Sequence, residues 1–110
     1  MQKSYFFGNV ASDPEKRGQD GTVLAFRIAC NRRTRNEQGE WEDTADFFPM
    51  VMFGNRAKAV GEFLAKGLPV SIEATPRQNT WTTDDGENRS RIEFVVEDIM
   101  VGRKAESATA

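Results

Sequence analysis

Four large aromatics, Trp41, Phe47, Phe53 and Trp81, are interleaved along the chain with Arg32, Arg33, Arg35, Arg77, Arg89 and Arg91. Flat π faces beside guanidinium groups suit one chemistry well. Unstacked nucleobases stack on such rings at about 1–3 kcal/mol each, while arginines neutralise phosphates or stack on bases themselves. A competing reading buries Phe47 and Phe53 in a core or against a second subunit, because they belong to a strand that is apolar on both faces. Trp81 stands at the mouth of a hairpin. Trp41 has Glu40, Glu42 and Asp43 as neighbours; these acids repel a phosphate chain and fit a loop anchor as well as a binding group.

Catalysis finds little footing. The chain has no histidine, which excludes histidine triads and imidazole acid–base chemistry. Its one cysteine, Cys30, rules out both an internal disulfide and an all-cysteine zinc site within one chain. Cys30 alternates in phase with Leu24, Phe26 and Ile28, so it reads as a buried, inert thiol. Asp84, Asp85 and Glu87 cluster around Gly86, yet adjacent acids at a hairpin tip are turn formers before they are metal ligands. No glycine loop that cradles phosphate is present. The expectation is a binding protein with no catalytic residue, no metal and no cofactor.

At 110 residues the chain suits one domain. Fifteen basic and 17 acidic residues give a net charge of -2, which leaves nucleic acid open because a basic stripe can coexist with acidic loops. There is neither a signal-peptide pattern nor an apolar run long enough to span a membrane. A soluble, cytoplasmic protein is expected.

The elements that must position these residues follow from periodicity. Residues 4–10 read as a short aromatic strand. In residues 22–32 Leu24, Phe26, Ile28 and Cys30 form an inner face, with Val23, Ala25, Arg27, Ala29 and Asn31 outside. Residues 33–43 read as a polar, mobile binding loop. Residues 45–53 form the strand with two apolar faces: Asp46, Phe48, Met50 and Met52 on one, Ala45, Phe47, Pro49, Val51 and Phe53 on the other. A helix follows, N-capped by Asn55, with Ala57, Val60, Phe63 and Leu64 as its stripe and Gly67 as its stop. In residues 68–79 Val70, Ile72 and Ala74 face inward, and Pro76 marks a bulge or an exit from the sheet. A hairpin with its tip at residues 84–86 leads to a last strand, residues 91–101, with Ile92, Phe94 and Val96 inside. This order, three strands, a helix and two strands, is that of an all-β, five-stranded OB barrel whose helix bridges strands three and four.

Particular residues also carry a family likeness. Gly8-Asn9-Val10 with Asp13-Pro14 behind, Val23, Phe26 and Ala29 before Asn31-Arg32, and Phe53-Gly54 come in that order. After them come Phe63-Leu64 before Lys66-Gly67, Val70 with Ile72-Glu73, Arg77, Trp81 and Asp85-Gly86. In this the sequence resembles the bacterial single-stranded DNA-binding protein family over about residues 3–101. Residues 103–110, small and polar, read as a short disordered tail, and the resemblance implies an OB domain over residues 1–102. It also implies a homo-oligomer, a tetramer before a dimer, that wraps single-stranded DNA without sequence preference in replication, recombination or repair. Phe47, Phe53 and Trp81 fall where the family has stacking aromatics, and Arg33 where a further aromatic often stands. Lys3, Ser4, Tyr5, Phe6 and Phe7 resemble the segment that pairs across a dimer two-fold. Asn55 replaces a frequent lysine, and Asn79-Thr80 stand where basic residues are common. The family's acidic, phenylalanine-ended tip, which recruits other enzymes, has no counterpart in Ala-Glu-Ser-Ala-Thr-Ala, so tail-mediated recruitment is not expected. The second functional reading is an OB-type accessory subunit of a primosome-like complex, whose aromatics contact protein.

Overall fold

The structure, a computed structural model, describes residues 1–103. The expected tail over 103–110 therefore lies almost wholly outside the described residues. Six strands and one helix occur in the order β1 (Ser4–Val10), β2 (Glu15–Arg17), β3 (Val23–Arg35), β4 (Trp41–Phe53), α1 (Asn55–Gly61), β5 (Pro69–Thr82) and β6 (Asn88–Val101). The sheet runs β1-β5-β6-β4-β3-β2, and an additional β1–β3 pairing closes five of the strands into a barrel. The helix thus lies between the fourth and fifth strands, not the third and fourth. The count shifts because Glu15, Lys16 and Arg17, all exposed, pair by backbone with Ala25, Leu24 and Val23. No apolar pattern announces such a strand.

Alternation and register together sort the side chains. Leu24, Phe26 and Ile28 of β3, Met50 and Met52 of β4, and Val70, Ile72 and Ala74 of β5 fill the core with Val96 and Ile99 of β6. At one end Phe6, Phe48 and Phe94 pack edge to face or tilted, with centroids 4.9–5.8 Å apart. Cys30 is half-buried against this core, and burial pushes its thiol up from the usual value. Barrel closure needs Gly8: a Cβ there would lie 2.3 Å from the Ala29 carbonyl oxygen.

The helix departs from expectation at both ends. Gly54, not Asn55, occupies the N-cap, and no side chain caps it. The α-helical turn stops at Gly61, whose missing Cβ lets the helix sit against Lys16 and Leu24. The chain then tightens through bonds from the Glu62 and Phe63 amides to the Ala59 and Val60 carbonyls. Leu64 is buried as expected, but this tightening leaves Phe63 exposed. Ala57 and Val60 cover the barrel end. Arg56 pins α1 to β6, donating to Asp98 Oδ1 at 2.5 Å and to the Glu97 and Ile99 carbonyls.

Three strand expectations also change. β5 continues past Pro76 to Thr82, and the irregularity lies earlier, between Glu73 and Ala74, where Glu97 of β6 is the extra residue. Pairing with β1 ends at Ala74, so from Thr75 onward β5 has a side on which a missing N–H costs no ladder bond. Residues 33–35 and 41–43 are strand, not loop: β3 and β4 stay in register to the Arg35–Trp41 pair. Their turn is closed by the Asn36 amide donating to the Glu40 carbonyl, and by Asn36 Oδ1 accepting from the Gln38 and Glu40 amides. Ile92, expected inside, is 58% exposed, because that part of the β5–β6 ribbon extends beyond the barrel with no layer behind it.

Candidate nucleic-acid interface

Register pairs odd residues with odd across the sheet: Ala29 with Phe47, Arg27 with Pro49, Val51 with Val95, and Arg77 with Glu93. One continuous outer face therefore gathers Trp41, Phe47 and Phe53 from β4 with Trp81 from β5. All four rings remain exposed. The burial alternative for Phe47 and Phe53 does not describe the single chain.

Each ring carries a guanidinium. Arg27 stands 5.5 Å from the Phe47 centroid, Arg77 5.3 Å from that of Phe53, and Arg91 5.7 Å from that of Trp81. Trp41 is flanked by two, Arg33 at 5.4 Å and Arg35 at 5.2 Å. These are cation–π distances. Each contact is a diagonal or directly opposed pair on a β ribbon, except Arg77 on Phe53, which spans β6. Among the described residues Arg27, Arg35 and Arg91 make no salt bridge, whereas Arg33 lies 3.7 Å from Asp43 and Arg77 donates to Glu93 at 2.6 Å. Three unpaired cations beside exposed π faces make a surface that attracts a polyanion with bases to stack.

The other candidates divide. Arg89 lies on β6 opposite Trp81, with Glu87 3.0 Å away. Arg32 alternates to the opposite face of the β3–β4 ribbon, where its Nε donates to Asp46 Oδ2 at 2.6 Å; the fold does not bring it to the rings. Arg27, outside the sequence candidates although its outward phase between Ala25 and Ala29 could have raised it, joins this face beside Phe47. At the second hairpin tip Thr83 holds the turn, donating to Asp85 and accepting from the Glu87 amide, and the hydroxyl bond holds the Asp85 carboxyl below its usual range. These acids shape a turn.

The oligomer candidates also split. Tyr5 and Phe7 project outward, 70% and 79% exposed. Phe6 belongs to the internal aromatic cluster. Lys3 donates to Glu97 at 2.5 Å and lies 3.8 Å from Glu73. β1 meets β3 only at Asn9 and Val10, so from Ser4 to Gly8 one edge of the strand has no partner among the described residues. Among the described residues no helix is long and apolar enough to cross a membrane.

Comparison with known proteins agrees with this geometry. The model of the single-strand binding protein family matches residues 1–101. Single-stranded DNA-binding protein 1 of Xylella fastidiosa is 31% identical, over 97% of this chain and 82% of its own. The single-stranded DNA-binding protein of Treponema pallidum is 30% identical over 74% of this chain, and the match spans 45% of that protein. Among solved structures, Plasmodium falciparum SSB in complex with ssDNA superposes with a TM-score of 0.80 at 21% identity, covering 94% of this chain and 96% of that one. The barrel is thus the OB fold of these structures, and the chain belongs to the single-strand binding protein family.

Proposed function

We propose that this chain performs its family's single-stranded DNA binding by stacking bases on Phe47, Phe53 and Trp81, with Trp41 as an outlying fourth platform, and that Arg27, Arg33, Arg77, Arg89 and Arg91 accompany the backbone. One observation carries the reading: every exposed ring on one face has a guanidinium 5.2–5.7 Å from its centroid. Stacking is indifferent to base identity because every base has a π face, and phosphate contacts carry no sequence information. The role that follows is protection of single strands in replication, recombination or repair, in the cytoplasm, with no catalytic step.

Assembly uses the other side of the barrel. The edge of β1 from Ser4 to Gly8, unpaired among the described residues, offers backbone donors and acceptors to a second copy of itself, and Tyr5 and Phe7 lie along it. That contact closes a dimer, and the tetramer that the family likeness implies needs a second, different interface between two such dimers.

Trp81→Ala and Phe53→Ala are each expected to lower affinity for a thymidine oligonucleotide more than tenfold while leaving oligomer size unchanged. If both variants bind as the parent does, the stacking assignment fails. If no oligonucleotide binds the parent chain, the accessory-subunit reading takes its place.

A further inference from the structure

The face that gathers the arginines also holds a carboxylate that phosphate binding does not explain. Glu93 is 8% exposed, and among the described residues it is the one polar or charged residue that is buried. It lines a trough of about 550 Å³ together with Pro49 and Val51 and with the charged Asp13, Glu15, Arg17, Arg27 and Arg91. Pro49 and Val51 lie on β4 between Phe47 and Phe53, on the same side of the strand. A single strand stacked on both phenylalanines therefore passes its intervening bases over this trough.

Arg77 Nη2 donates to Glu93 Oε1 at 2.6 Å. A carboxylate offers about four acceptor sites, so this bond leaves most of them unused. No side-chain oxygen or nitrogen among the described residues is both sealed from solvent and without a partner. The Glu93 carboxylate therefore keeps some access to solvent, and Glu93 is among the residues that line the trough. An acceptor-only group sheltered from water is valuable to a ligand that brings a donor and costly to one that brings another acceptor.

Building on the single-stranded DNA reading, we propose that Glu93 reads one base of the bound strand, accepting a hydrogen bond from an exocyclic amine. Cytosine presents such an amine at N4, and a glutamate accepting from it is an established pairing chemistry. Thymine presents the O4 carbonyl at the same place, and its N3–H lies between two carbonyl oxygens that the carboxylate repels. The stacking rings tolerate every base, and this one position favours a base that carries an amine. A purely structural Glu93 would only hold Arg77 over Phe53 and would affect all bases equally.

The test uses the full chain and its tryptophan fluorescence, titrated with homo-oligomers of deoxycytidine and of deoxythymidine of equal length at fixed salt. Both are pyrimidines, so the comparison isolates the exocyclic group. In Glu93→Gln, which keeps the shape of the side chain and adds a donor for thymine, the cytidine-to-thymidine affinity ratio is expected to fall about fivefold or more. A measurement on the parent chain needs no variant: replacing cytosine by 2-pyrimidinone, which lacks the amine, is expected to weaken binding by a similar factor. An unchanged ratio, whether the two affinities fall together or stay put, or equal binding of the 2-pyrimidinone oligomer, would overturn the proposal and leave single-stranded DNA binding intact. Failure of every oligomer to bind would overturn both.

Discussion

Strands β4 and β1 both expose aromatic rings, and their surroundings differ in sign. On β4, Phe47 and Phe53 are 52% and 46% exposed, with Arg27 and Arg77 over their faces. On β1, Tyr5 and Phe7 are more exposed still, yet Tyr5 donates its hydroxyl to Glu73 at 3.2 Å. Asp98 and Met100 line the same hollow as Tyr5 and Phe7, and Lys3 is tied to Glu97. A π face beside a cation complements a polyanion. A π face beside carboxylates repels one and suits a protein surface, including a second copy of this chain. Residue type alone does not assign a partner; the charge around the ring does.

The comparison predicts its own failures, the largest first. Phe53→Ala combined with Trp81→Ala is expected to lower affinity by on the order of a hundredfold or more, since each ring contributes about 1–3 kcal/mol. Tyr5→Ala combined with Phe7→Ala should leave affinity for an oligonucleotide that spans one subunit within about threefold. Equal losses in the two double variants would erase the distinction between the faces. In the converse direction, Phe7→Asp is expected to shift the assembly to smaller species in light scattering while a short oligonucleotide still binds. An unchanged assembly mass would remove β1 from the interface.

Smaller effects test the arginines. Arg27→Ala and Arg91→Ala are each expected to weaken binding by about three- to tenfold. Each should also flatten the dependence of log affinity on log salt by about 0.7 for every phosphate that is no longer neutralised. A weakened affinity with the salt slope intact would mean that these arginines only orient the rings. The smallest effect is on stability. Hydrogen bonds from Lys3 and Thr75 hold the Glu97 carboxyl below its usual range, and Arg56 does the same for Asp98. Folded-state values below the unfolded ones stabilise the fold above the ordinary carboxylate range, and this stabilisation is lost as pH falls through the lowered values. Thermal stability should therefore decline between about pH 5 and pH 3. The decline should be shallower in Glu97→Gln and Asp98→Asn; an identical slope in both would show that neither bond matters to the fold.

Much of the barrel was legible because its strands alternate. Residues 23–29 and 45–53 alternate between an inner and an outer face, with Val51 buried even on the outer one, and the order of strands and helix pointed to the fold. What escaped reading lacks an apolar signal. β2 is three charged residues that pair through backbone alone, and the far ends of β3 and β4 are polar on both sides, so a two-stranded ribbon looked like a loop. Arg32 and Arg33 are neighbours and must point to opposite faces, which alternation could have separated; only Arg33 joins the aromatic face. Ile92, expected inside, is exposed because an apolar residue on a ribbon beyond the barrel has nothing to pack on. The neighbouring Glu93 carboxylate is sheltered beside Arg77. The cation–π contacts depend on cross-strand register, which no single segment reveals.

The central claim is that the arginine-flanked face binds single strands by stacking. Trp41 and Trp81 are the chain's two tryptophans, and both belong to that face. The most direct test is their fluorescence during titration with a thymidine oligonucleotide at low and at moderate salt. Strong quenching, with affinity that falls as salt rises, is the predicted result. No quenching and no binding even at low salt would contradict the account and leave the barrel as a scaffold for contacts with protein.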